Sequence, residues 1–151
     1  MRPPRRAPNF RSVNLTVKSD YAARAVLLLA RHFPSGDIVR AEQIATEQHI
    51  PPKYLVQLLI ELKAHQVVRS ERGKDGGYKL AKPPAEITLG EILRAMHGDF
   101  LDTPALHDPT CPPELRATWE QLKTSAHAAA DAVNFQQLLD ASADKAKMYY
   151  I

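Results

Sequence analysis

The stretch RSERGKDGGYKL, residues 69–80, decides the fold. Three of the chain's six glycines, Gly73, Gly76 and Gly77, fall within five positions of it, between Val67-Val68 and Tyr78-Lys79-Leu80. The flanks read as two short strands, near 67–71 and 77–81. A glycine cluster between strands supplies the positive φ values that a tight hairpin needs. Missing side chains also let a backbone approach something closely. The tip carries Arg72, Lys74 and Asp75 as well, so a structural and a functional use of the glycines both stand open.

Working upstream, Pro51-Pro52 opens a helix, since proline suits a first helical turn. It places Leu55, Leu58, Leu59 and Leu62 inward and leaves Lys53, Tyr54 and Gln57 near its exposed N-terminal end. A short helix near Ala41–His49 precedes it. Before that, Ser19-Asp20 offers a cap to a helix with Tyr21, Ala22, Ala25, Val26, Leu28 and Leu29 at helical spacing, stopped by Pro34 and Gly36. Downstream, Pro83-Pro84 ends the hairpin, and Thr88 with Glu91 forms a capping box for a fourth helix with Leu89, Ile92, Leu93 and Met96. Three helices, a glycine-tipped hairpin and a further helix make a winged helix-turn-helix. The expected fold class is therefore mainly α with a small β-hairpin wing.

Residues 1–12 hold four arginines and no acid. They read as a basic flexible arm whose Arg2, Arg5, Arg6 and Arg11 add phosphate contacts if they act at all. The winged domain spans 13–98. Residues 99–113 form a proline-rich loop, which with His97 and Gly98 shows no periodicity. Residues 114–151 read as a long dimerisation helix with a C-terminal tail. Within it Leu115, Trp119, Leu122, Ala126, Ala129 and Val133 recur at heptad-like spacing, a seam for a second subunit. The alternative packs that helix on its own domain.

Charge divides along the same line. Residues 1–98 carry 16 Lys and Arg against 9 Asp and Glu, whereas residues 99–151 carry 4 against 8. The basic lobe points to a polyanionic partner, with double-stranded DNA first among them. No apolar run approaches the roughly 18 residues of a membrane span, and the basic N-terminus has no apolar core behind it, so no membrane partner is expected. A single cysteine, Cys111, excludes an internal disulfide and fits a reducing cytoplasm. An enzyme finds no support in paired carboxylates, a Cys-His arrangement or a phosphate loop. The glycine cluster leads into a strand, where a nucleotide-binding turn needs a helix. A protein-interaction module that has lost DNA binding is the other alternative, against which Lys53, Arg72, Lys74 and Lys79 argue.

LTVKSDYAARAVLLLA (15–30), PPKYLVQLLIEL (51–62), VVRSERGKDGGYKLAKPP (67–84) and EITLGEILRAMHG (86–98) together resemble the Rrf-two family of bacterial transcription regulators, of the IscR, NsrR and CymR type. The resemblance implies a homodimer on a near-palindromic operator; since an operator-bound dimer can simply occlude polymerase, a repressor is expected over an activator. The third helix would enter the major groove with Lys53, Tyr54, Val56 and Gln57, and the wing the minor groove with Arg72, Gly73, Lys74, Gly76, Gly77 and Tyr78. Val56 stands where some relatives carry a glutamate. Many relatives hold an iron–sulfur cluster on three loop cysteines. Here only Cys111 remains, so no cofactor is expected. Three further readings of Cys111 are a cluster completed by Asp20 and His107, a redox thiol and a haem-responsive Cys-Pro pair. An inert loop cysteine leaves the signal to an unidentified small-molecule or redox effector, or to a partner protein.

Overall fold

The computed structural model describes residues 17–149. The arginine-rich arm lies outside them. Helix α1 (Val17–His32) buries Ala22, Ala25, Val26, Leu28 and Leu29 at the centre of the molecule. It packs against the second, third and fourth helices, the second strand of the hairpin and the last helix. Ser19 and Asp20 sit inside its first turns rather than capping it. Ser19 shares a hydrogen bond with His97, and Asp20 pairs with Arg24 at 2.8 Å.

Helix α2 (Ala41–Gln48) ends where His49 turns left-handed (φ 55°), and Ile50 N–H then reaches back to the Ala45 carbonyl. Pro51 and Pro52 start α3 (Pro52–Ala64), whose Leu55, Leu58, Leu59 and Leu62 are buried as their spacing requires. Strands β1 (Val68–Glu71) and β2 (Gly77–Leu80) pair antiparallel in the register Val68↔Leu80 to Glu71↔Gly77. Helix α4 (Leu89–His97) is capped by the Thr88 hydroxyl, which accepts from Glu91 N–H at 3.1 Å. The Glu91 carboxylate turns instead to Lys82, 2.6 Å away.

The C-terminal region differs from the single helix expected. Helix α5 (Pro113–Asp131) stops, and α6 (Phe135–Tyr149) starts after a short break. Asn134 and Gln137 cap α6 reciprocally, each side chain accepting from the other's backbone N–H at 2.9 Å. Val133 lies in this break with its carbonyl accepting from Leu89 N–H at 2.8 Å, so it does not continue the seam. Phe135 follows, fully buried in the main core, with Leu138 and Leu139 packed beside it. The chain thus returns to the winged domain, its break tied to the turn before α4 by Phe135 N–H to Ile87 O at 3.0 Å.

Candidate nucleic-acid interface

Two exposed surfaces are candidates: the outward face of α3 and the tip of the wing, which borders the start of α2. On α3 the residues at helical spacing opposite the leucines are Lys53, Val56, Gln57 and Ile60, all exposed. Tyr54 flanks them, 65% exposed. No acid occupies the first turn of α3, and Pro51 provides no side-chain cap, so the positive end of the helix dipole is unneutralised next to Lys53. Gln57 is oriented from behind by Glu61 (3.4 Å), which Lys18 of α1 holds at 2.9 Å.

The wing is held by a third strand-like segment. Val39 exchanges both backbone hydrogen bonds with Tyr78, each at 2.8 Å. This explains two of the clustered glycines. A Cβ on Gly77 would lie 2.5 Å from the Val39 carbonyl oxygen, and one on Gly76 would lie 2.3 Å from that of Glu71. Only Gly73 of the three has a positive φ, 115°, and open space around its Cα. Gly76 and Gly77 therefore serve contacts within the protein, while the turn conformation rests on Gly73. Arg40, which sequence reasoning missed, donates to the Lys74 carbonyl at 2.5 Å and ties the tip to the start of α2. Arg72 and Lys74 project freely; neither forms an ion pair among the described residues, nor does Lys53. Tyr78 is half-buried: it packs partly against the core and borders the same groove as Arg72, Gly73 and Lys74.

The loop and α5 form the other expected region. Leu115 and Leu122 are 47% and 49% exposed, and Ala129 faces solvent near them. Ala126 instead packs with Leu93, Phe100 and Ala130, beside an apolar groove of about 450 Å³ that Ala129 and Leu101 also line. Three cationic or imidazole side chains of α5 fasten the loop. Arg116 donates to the Asp108 and Cys111 carbonyls (2.6 and 3.2 Å), and Lys123 reaches Asp102 at 3.3 Å. His127 stacks on Phe100 with ring centroids 3.8 Å apart and bonds its carbonyl at 2.8 Å. A carbonyl only accepts, so His127 Nε2 is the donor in that bond, while its Nδ1 lies 3.2 Å from the Arg94 guanidinium.

Arg94 also pairs with Asp131 at 2.5 Å and holds that carboxyl below the usual carboxylate range. Lys123 does the same for Asp102. A carboxylate with a depressed pKa stabilises the fold above its unfolded value and loses that contribution as the pH falls through the folded value. These pairs therefore hold α4, the loop and α5 together at neutral pH and weaken on acidification. His97 is displaced downward too, by burial and then by the Lys18 charge.

The candidate cofactor ligands are not brought together. Asp20 is paired with Arg24, His107 lies 3.2 Å from Asp102, and the buried Cys111 thiol donates to the Pro112 carbonyl at 3.6 Å. No group of three His, Cys, Asp or Glu side chains suited to a metal forms among the described residues. Iron–sulfur clusters are held chiefly by several thiolates, and one buried thiol under an arginine-bound loop does not fit that chemistry.

A helix-turn-helix whose second helix presents a free outward face, followed by a docked hairpin, defines a winged-helix protein of the nucleic-acid-binding class. The Rrf2 family, described as iron-dependent transcriptional regulators, matches residues 15–141, and the chain belongs to it. Over 86 residues it is 41% identical to an HTH-type transcriptional regulator of Mycobacterium tuberculosis, covering 57% of this chain and 53% of that protein. The chain thus spans about half the length of that curated relative. Among solved structures, IscR of T. potens superposes with a TM-score of 0.73 at 29% identity, over 92% of this chain and 98% of that one. CymR, the global cysteine regulator of B. subtilis, gives 0.72 at 27% identity, over 83% and 95%. No helix among the described residues is long and apolar enough to cross a membrane.

Proposed function

We propose that the chain is a sequence-specific DNA-binding regulator that acts as a homodimer on a near-palindromic operator and represses transcription there. The observation that carries this reading is the free outward face of α3 together with the exposed wing tip, where Lys53, Arg72 and Lys74 form no ion pair among the described residues. Lys53, Tyr54, Val56 and Gln57 enter the major groove. Arg72 extends from the wing into the minor groove, with the backbone at Gly73 and Lys74 alongside. Gly76 and Gly77 support the wing from within. The dimer forms along α5 through Leu115, Trp119, Leu122 and Ala129, leaving the two recognition helices to meet successive half-sites. The signal is carried without an iron–sulfur cluster, by an effector or a partner acting on the loop and α5.

Arg72→Ala should weaken binding to a selected operator by about 1–3 kcal/mol, read by fluorescence anisotropy across a salt series. Unchanged affinity with an unchanged salt slope would take the wing out of the mechanism. Leu122→Asp should convert the protein from a dimer to a species of the 16.8 kDa chain mass in light scattering. A variant that stays dimeric would place the interface elsewhere.

A further inference from the structure

Lys53, Val56, Gln57 and Ile60 follow one another at i, i+3, i+4 and i+7 along the outward face of α3, so they form one stripe. Two of its members are branched aliphatics: Val56 is 53% exposed and Ile60 55%. The core does not need them, because Leu55, Leu58, Leu59 and Leu62 already fill the inward face. The acid one residue beyond the stripe on α3, Glu61, is engaged by Lys18, and Glu71 at the base of the wing by Lys79. The stripe therefore offers methyl groups in line with an unpaired cation, Lys53, a poor surface for an apolar protein patch and a fitting one for a polyanion.

Within the major groove the thymine C5-methyl is the one protruding apolar group on the base edges, and it is read by apolar side-chain contact. We propose that Val56 and Ile60 are specificity-determining residues that contact thymine C5-methyl groups, so that each half-site carries thymine at the positions they face. The inference rests on the DNA-binding reading above and adds which base chemistry this helix selects. It also assigns a role to Ile60, one turn beyond the residues that sequence reasoning placed at the DNA.

The full chain is used to select a binding sequence from a random-sequence duplex pool. Each conserved thymine of the selected site is then replaced singly by deoxyuridine, which removes the methyl and leaves pairing intact. One or two such replacements per half-site should weaken binding, by roughly fourfold per methyl. Val56→Ala should abolish the thymine–uracil difference at one position, and Ile60→Ala at another. Both sites are exposed, and circular dichroism with a thermal melt checks that the variants fold. If the wild-type protein binds its selected site tightly but every uracil replacement is neutral, or both variants keep the full difference, the methyl contacts are refuted and DNA binding stands. If no sequence is enriched and no duplex binds, the DNA-binding reading itself falls and takes this inference with it.

Discussion

Phe135→Ala should lower the unfolding free energy by about 3–5 kcal/mol, the range for emptying a large aromatic site in a packed core. Phe135 is fully buried, and it is the residue through which α6 enters the core of the winged domain. Its backbone N–H also bonds Ile87, so the side chain fills the space beside α1 while its backbone fixes the turn ahead of α4. A loss of that size is a large share of the roughly 5–15 kcal/mol that holds a domain of this class together. Urea denaturation followed by circular dichroism measures it. A midpoint within error of the wild type would mean that α6 is not part of the cooperative unit.

Gly77→Ala is the second large effect, expected at about 2–4 kcal/mol from overpacking and strained or lost hydrogen bonds. The new methyl would meet the Val39 carbonyl oxygen at 2.5 Å and its carbon at 2.8 Å. Both are backbone atoms, so no side chain can swing away. Relief requires opening the two Val39–Tyr78 hydrogen bonds, which undocks the wing from the segment ahead of α2. DNA affinity should therefore fall together with stability. Full stability with full affinity would show that the wing does not need this docking.

The helices and hairpin of the winged domain were legible because each is written locally. The inward leucines of α3 follow helical spacing, and the Thr88 cap needs only the residues beside it. The docking of the wing was not legible, because Val39 and Tyr78 pair across a long stretch of chain and no periodicity marks a single-residue bridge. The glycine cluster was located correctly, yet the close contacts that demand Gly76 and Gly77 turn out to be with the protein's own backbone. In the C-terminal region the heptad-like spacing ran on to Val133 because that valine falls in phase by sequence alone. The Asn134–Gln137 pair, three residues apart and just ahead of Phe135, was the overlooked signal of a new helix start.

The DNA face was legible in part. Lys53, Tyr54, Val56 and Gln57 are exposed where helical spacing puts them, whereas Tyr78 is half-buried, packed partly against the core. Arg40 escaped notice because its partner, the Lys74 carbonyl, is 34 residues away. Asp20 of α1 and the loop residues His107 and Cys111 are candidate ligands through the family resemblance, but partners that only the fold reveals engage each of them separately.

The most direct test of the DNA-binding reading is the ratio of affinities for the selected operator and a scrambled duplex of equal length and composition, measured by anisotropy at physiological salt. A preference of about 1,000-fold or more is expected, the lower bound for specific regulators, and Lys53→Ala and Arg72→Ala should each reduce affinity for the operator. Equal affinity for the two duplexes would contradict sequence-specific recognition by α3 and the wing, leaving only the charge of the basic lobe.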